Sequence, residues 1–349
     1  MTHLTVEASG GIGPVPGGPA PQHLLDVRDL FIEFHTRDGV AKVINGVSYH
    51  LDPGETLAVL GESGSGKSVT AQAIMGILDT PPGQITGGQI VFDGRDLLIM
   101  QEKERRQVRG KEIAMIFQDA LSALNPVFTV GFQITETLRH RAGMSRADAD
   151  TRAVELMDLV RIPAARDRLR DYPHQFSGGM RQRVMIAMAL ALNPRLLIAD
   201  EPTTALDVTV QAQVMDLLGD LRRELDMAMI LITHDLGVVA DVADRIAVMY
   251  AGRVVEHADV HDLYARPAHP YTKGLLESIP RLDARGTELT TIKGLPPNLL
   301  HPPSGCTFHP RCPYCQEVCV VRVPPLLALG NDRTSACHFA QEVLDGTIE

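Results

Sequence analysis

The octapeptide GESGSGKS, Gly61 to Ser68, decides how this chain folds. It fits the spacing G-x-x-x-x-G-K-[ST], follows the apolar run ETLAVL and opens into SVTAQAIMGIL, a stretch of helical character. Strand, glycine loop and helix in that order build a phosphate cradle. Gly61, Ser63, Gly64 and Gly66 let successive backbone N–H groups turn inward around phosphate oxygens, and the helix behind them adds its positive dipole end. Lys67 would reach the β- and γ-phosphates and Ser68 would ligate Mg2+, with Val69 continuing the binding segment into the helix. A Gly/Ser-rich surface turn with a solvated lysine accounts for the loop's composition, but not for the strand before it and the helix after it.

A nucleotide held in this way needs a second, acidic strand to hold the metal and orient water. RLLIADEPTTALD, Arg195 to Asp207, supplies it. Asp200 ends an apolar run, so its carboxylate emerges at the C-terminal edge of a buried strand, where open α/β sheets bind ligands. Glu201, the next residue, is free to act as general base on attacking water. Such a pair could instead cap a following helix; Lys67 upstream favours the nucleotide.

The rest of the chain is consistent with an α/β protein. From Leu24 onward LLDVRDLFIEF, KVINGVSYHL and ETLAVL alternate as strands. Helical signals dominate from about residue 119 to 192. Among them is SRADADTRAVELMDLV, where Ser145 and Asp148 suit a capping box and Val154, Met157 and Val160 share a face. RLLIAD and AMILITHD read as buried parallel strands joined by the amphipathic VTVQAQVMDLLGDLRREL, a βαβ unit. The expected organisation is a Gly/Pro-rich leader over 1–22, a nucleotide-binding domain over 23–265, and a Pro-rich extension over 266–349.

Bulk composition narrows the function. A formal net charge of -10 over 349 residues argues against a protein that neutralises phosphates along a duplex, so no nucleic acid is expected as partner. QEKERRQVRGKE, Gln101 to Glu112, reads as a solvated surface. The longest apolar run, Val184 to Leu192, is far short of the roughly 18 residues that span a bilayer. The leader has neither the basic start nor the apolar stretch of a secretory signal, which points to the cytoplasm.

QFSGGMRQR, Gln175 to Arg183, lies between the helical insert and the acidic strand. With cradle, signature and acidic strand in this order, the chain resembles the ATP-binding subunits of ABC transporters. The stretches DEPTTALDVTVQAQVMDLL, LNPVFTVGFQI and HPYTKGLLESIP look like the D-type subunit of oligopeptide, dipeptide and nickel importers. The resemblance runs from about residue 24 to 340 and implies a P-loop NTPase fold: a RecA-like core, an antiparallel β subdomain and a helical subdomain over about 119–192. It implies a dimer in which each ATP is sandwiched between one subunit's cradle and the other's Ser177, Gly178, Gly179 and Gln182. It also implies that Gln118 contacts Mg2+ and senses the membrane partner, that Asp207 crosses the dimer interface, and that His234 holds the γ-phosphate and water in line. Phe34 is the candidate for stacking on adenine, with Phe31 and His35 in competition. Phe132 departs from the polar residue expected at its position. The implied activity is ATP hydrolysis driving peptide uptake, with a nickel or other small-solute importer, or a non-transport ABC ATPase, as alternatives. The implied partners are a second ATPase of the related F-type, two transmembrane permease subunits and an extracytoplasmic substrate-binding protein. The implied location is the cytoplasmic face of the cell membrane.

All five cysteines lie between residues 306 and 337. Four thiolates in a reducing compartment suit a tetrahedral metal or an iron–sulfur cube. The family resemblance selects Cys306, Cys312, Cys319 and Cys337 and implies a [4Fe-4S] cluster, with zinc as the alternative. Cys315, spaced C-x-x-C from Cys312, contests the fourth place, and His309 and His338 are further substitutes.

Overall fold

The computed structural model describes residues 23–119, 123–204, 206–278 and 291–348, so the expected leader lies outside the described residues. Two sheets organise it. β1 (Leu25–Thr36), β2 (Gly39–Leu51), β4 (Gly83–Phe92) and β5 (Arg95–Asp96) form an antiparallel sheet in the order β2-β1-β4-β5. The larger sheet contains β3 (Thr56–Leu60), β6 (Ile113–Ile116), β7 (Leu196–Asp200), β8 (Ala228–Ile232), β9 (Arg245–Tyr250), β10 (Arg253–Asp259), β11 (Leu327–Gly330) and β12 (Arg333–Ser335). Its order is β11-β12-β10-β9-β3-β8-β7-β6.

The strands β6, β7, β8, β3 and β9 run parallel, and every residue of β3, β7 and β8 is buried. Burial on both faces is why these segments read as continuous apolar runs rather than alternating ones. Register fixes function here. Val59 lies opposite Ile232 and Ala247, and Asp200 opposite Ile232, so the ends of β3, β7 and β8 reach one sheet edge together.

The helices Val130–Arg141, Arg146–Leu159 and Gly178–Ala189 pack as a layer against the same core. The second of them keeps half of the expected capping box: Ser145 Oγ accepts from Asp148 N–H at 3.2 Å, while the Asp148 carboxylate takes the Ser145 hydroxyl at 2.7 Å. Ala149, Ala153, Leu156 and Met157 are fully buried along one face, while Val154 is only half-buried. A second core fills the space between the antiparallel sheet and the central sheet, with Ile32, Val47, Ile90, Phe92, Leu57 and Ile74 fully or almost fully buried.

The chain beyond residue 265 is not a separate lobe. Tyr271 and Phe308 are buried in the main core, and their rings meet Tyr250 at 4.6 and 5.2 Å between centroids. β12 extends the sheet by pairing Ser335 with Glu256 of β10. Glu256 is the fastener: its carboxylate accepts from the N–H groups of Ala268 and His269 at 2.8 and 3.0 Å and from Arg333 Nη2 at 2.8 Å. Burial pushes its pKa up, against the hydrogen bonds and the Arg333 charge that hold it ionised. Removing only the cation from such a pair leaves an uncompensated buried charge, whereas removing both charges is far cheaper. Arg333→Met is therefore expected to lower the unfolding free energy by about 3–5 kcal/mol in denaturant titration. Adding Glu256→Gln should recover part of that loss; an additive loss would contradict this role for the pair.

Candidate nucleotide site and cysteine-lined cavity

The cradle follows β3 directly. Gly61 has φ 150° and Gly66 has φ 105°, conformations that a side chain resists. A Cβ on Gly61 would fall 2.2 Å from the Met249 carbonyl oxygen, and one on Gly66 would fall 2.5 Å from Ile44 Cδ1. Ser63 and Gly64 are exposed on the rim, whereas Ser65 is buried with its hydroxyl unpartnered. The helix Lys67–Met75 starts from Gly66, so its unpaired N–H groups open into the loop.

Lys67 is only 6% exposed, and its Nζ donates to the carbonyls of Gly61 and Glu62 at 2.7 and 3.1 Å. Desolvation lowers its pKa, opposed by the charges of Glu201, Asp200 and Glu62. Ser68 Oγ donates to Asp200 Oδ1 at 3.0 Å, a bond that closes 132 residues of sequence and sets two of the three expected Mg2+ ligands side by side, while the third, Gln118, is bonded to Glu201. Asp200 is 5% exposed, and burial raises its pKa despite the Ser68 hydrogen bond. A desolvated carboxylate next to a hydroxyl suits a divalent cation, which would offset the cost of keeping it ionised.

Glu201 leaves the strand with φ 45°, a left-handed turn that a non-glycine residue adopts at a cost of about 1–3 kcal/mol. Its Oε2 accepts from Gln118 Nε2 at 3.0 Å and from Thr204 Oγ at 2.8 Å, and His234 Nδ1 lies 3.4 Å from Oε1. Glu201, Gln118 and His234, widely separated in sequence, thus meet at one carboxylate. Thr204 was not among the expected site residues; its signal is the Thr three positions after the Glu, within hydroxyl reach of the same turn.

The signature opens a different helix. Ser177 caps the helix Gly178–Ala189, its Oγ accepting from Met180 N–H at 3.3 Å, and Ser177 and Gly178 are exposed. Gly179 is crowded, since a Cβ there would fall 2.5 Å from Val210 Cγ1. Gln182 is buried, 4% exposed, with its amide nitrogen unpartnered. Asp207 caps the helix Val208–Leu225, accepting from Val210 N–H at 3.0 Å. Val69 and Phe34 are half-buried against the second core, Phe34 facing Ala41 and Gly83 across its strand partners. Phe31 is 38% exposed and His35 is exposed.

In the tail, Cys306, Cys312, Cys319 and Cys337 line one small cavity with Phe308, Tyr314 and Phe339, and Cys315 is exposed outside it. His309 and His338 also border the cavity, but Nδ1 of the first and Nε2 of the second lie 2.9 and 3.0 Å from main-chain carbonyls. Burial pushes the Cys312 thiol up to about 12 and Cys337 up to about 11. No three of the cysteine sulfurs lie within 4.8 Å of one another. A zinc ion with Zn–S bonds of about 2.3 Å would hold tetrahedral sulfurs roughly 3.8 Å apart.

A phosphate cradle, a buried metal carboxylate and a carboxylate poised for water on adjoining parallel strands define a P-loop nucleotide hydrolase. Comparison with known proteins sharpens that class. The family model "ABC transporter" matches residues 44–204, and "Oligopeptide/dipeptide transporter, C-terminal region" matches residues 255–319. The oligopeptide transport ATP-binding protein OppD of Bacillus subtilis is 55% identical over 88% of this chain and 86% of its own. OppD of Salmonella typhimurium is 53% identical over 93% and 97%, and the dipeptide transport ATP-binding protein DppD of Bacillus subtilis 53% over 92% and 96%. Among solved structures, a post-hydrolysis dimer of the ATP-binding cassette MJ0796 bound to ADP and Pi superposes with TM-score 0.60, at 28% identity over 68% of this chain and 98% of that one. The chain belongs to the ATP-binding subunit family of ABC transporters, in its oligopeptide/dipeptide branch, and is an ATPase.

Lys67→Met removes the cation from the cradle while keeping the stem. It is expected to weaken ATP binding by roughly tenfold to a hundredfold in calorimetric titration of the full chain, because charge-assisted bonds to phosphate are the strong ones. Unchanged affinity would show that the lysine does not hold phosphate.

Proposed function

We propose that this protein is the ATP-hydrolysing subunit of a peptide-type importer, binding ATP between the cradle of one ATPase subunit and the signature of a second. The observation that supports this reading is the Ser68–Asp200 hydrogen bond at 3.0 Å with Glu201 next in sequence, which brings the residues proposed for metal and water to one sheet edge beside the cradle. The cargo is assigned from the names of relatives about half identical over nearly the whole chain.

The residues divide the work plainly. Lys67 and the backbone N–H groups of the cradle hold the β- and γ-phosphates, and Ser68 and Asp200 hold Mg2+. Glu201 accepts the proton of the water that attacks the γ-phosphorus, as the bond to the bridging oxygen breaks and ADP leaves. Gln118 and Thr204 aim the Glu201 carboxylate, and His234 keeps the γ-phosphate and water in line. Catalysis is thus mainly positioning and charge stabilisation. The exposed rim of Ser177 and Gly178, a helix start with free N–H groups, is supplied to the partner's nucleotide. The exposed caps at Ser177 and Asp207 are compatible with that use, since a capping oxygen keeps its remaining hydrogen-bonding capacity.

Coupling to a permease runs through the surface around Gln118. Phe117, Val127, Phe128 and Phe132 are 44%, 69%, 43% and 44% exposed, and the rings of Phe128 and Phe132 stack at 4.7 Å. Exposed apolar side chains grouped along one short segment mark an interaction surface. Among the described residues no helix is long and apolar enough to cross a membrane. The proposed assembly therefore has this chain docked on two permease subunits, with a related F-type ATPase beside it and a substrate-binding protein outside.

The four cavity cysteines are proposed to hold a [4Fe-4S] cluster. What supports the reading is that Cys306, Cys312, Cys319 and Cys337 line one cavity, and four cysteine thiolates are the ligand set of such a cluster. Bound there, the cluster would cross-link the tail, a stabilising role familiar from small metal-clamped folds.

Two outcomes are expected. Glu201→Gln in the assembled complex should retain ATP binding and lose turnover by about a hundredfold or more in phosphate release; substantial remaining hydrolysis would assign the base elsewhere. Anaerobic purification should yield about four iron and four acid-labile sulfide per chain, whereas a single zinc in their place would overturn the cluster.

A further inference from the structure

Glu62 is an anomaly inside the cradle: a carboxylate one residue from Gly61, in a loop whose task is to attract a polyanion. Like charges at close range repel, most strongly where water is excluded. The structure supplies the counter-charge from the far end of the chain. Arg311 Nη1 and Nη2 donate to Glu62 Oε2 and Oε1 at 2.7 and 3.0 Å, a two-pronged bond across 249 residues. Such paired geometry fixes direction as well as charge. Tyr271 Oη accepts from the Glu62 N–H at 2.9 Å, and the Glu62 carbonyl accepts from Lys67 at 3.1 Å. Glu62 is thus held by the tail on one side and by the phosphate-binding lysine on the other.

Arg311 is itself over-determined. Its side chain is 6% exposed, Nε donates to the Lys293 carbonyl at 3.1 Å, and Nη1 reaches Tyr250 Oη at 3.3 Å. It ends the short turn His309–Arg311 that follows the buried Phe308, and the next residue, Cys312, lines the cysteine cavity. Packing of Tyr250, Tyr271 and Phe308 holds this turn against the core.

We propose that Arg311 is a positioning residue for the phosphate cradle, cancelling the charge of Glu62 and fixing its backbone, so that ATP affinity depends on the placement of the C-terminal tail. The inference rests on the nucleotide reading of the cradle. It makes the region beyond residue 265 part of the ATP site, although none of its side chains belongs to the phosphate motif.

The test is nucleotide affinity of the full chain, with ATP and with adenosine, which carries no phosphate. Arg311→Met should weaken ATP binding about tenfold and leave adenosine within twofold, because the lost neutralisation acts on phosphate alone. Removing the orphaned charge as well should rescue it: Glu62→Gln with Arg311→Met should return to within about threefold of wild type. Arg311→Lys keeps the cation and much of the stem but not the fork; about threefold weaker ATP binding is expected, which keeps the test readable if the Met variant fails to fold. Wild-type ATP affinity in the single variants, equal loss of adenosine, or a double variant no better than Arg311→Met would each overturn the inference. A wild-type chain that binds no ATP would overturn the nucleotide reading and this inference with it.

Discussion

Parallel pairing of β3 with β8, and of β8 with β7, is the constraint on which the site depends. A parallel sheet aligns its strand ends, so the loop after β3 and the acidic end of β7 emerge at one edge although more than a hundred residues separate them. The Ser68–Asp200 hydrogen bond is the local consequence.

Electrostatics at that edge are deliberately unbalanced. Desolvation opposes charge on both Lys67 and Asp200, moving the lysine down and the aspartate up. Glu201 and Asp200 oppose the shift of the lysine, Ser68 and Lys67 that of the aspartate, and the proposed ligands, a polyphosphate for the cation and Mg2+ for the anion, would oppose both further. Glu201 stands apart, more open and placed by a left-handed turn, Gln118 and Thr204 rather than by a metal partner. A base must reach water, and a buried metal ligand must not. The roles proposed for these neighbouring carboxylates match their different environments.

Much of this was legible in the sequence because short local patterns encode it. The glycine spacing of Gly61 to Ser68 is a backbone requirement, and RLLIAD declares a buried strand by its apolar run. Ser145 and Asp148 announced their cap. What escaped were contacts made at long range by ordinary residue types. Nothing around Arg311 marks its hold on Glu62, and Thr204 looks like any threonine in a turn. The tail's Pro-rich texture suggested an appendage, because sequence shows lost periodicity but not that Tyr271 and Phe308 complete another segment's core. Nor does the C-x-x-C spacing of Cys315 show that it stays exposed, outside the cavity that the other four cysteines line.

The arrangement leaves one half of the chemistry outside the subunit. Ser177 and Gly178 present an exposed helix start, proposed to complete the cradle of a partner ATPase. The most direct test of that claim is the structure of the assembled, hydrolysis-blocked transporter with Mg2+ and ATP. The account predicts the Ser177 hydroxyl within hydrogen-bonding distance of the γ-phosphate held by the partner ATPase's cradle. Nucleotide seated in both cradles with Ser177 remote from either γ-phosphate would contradict it.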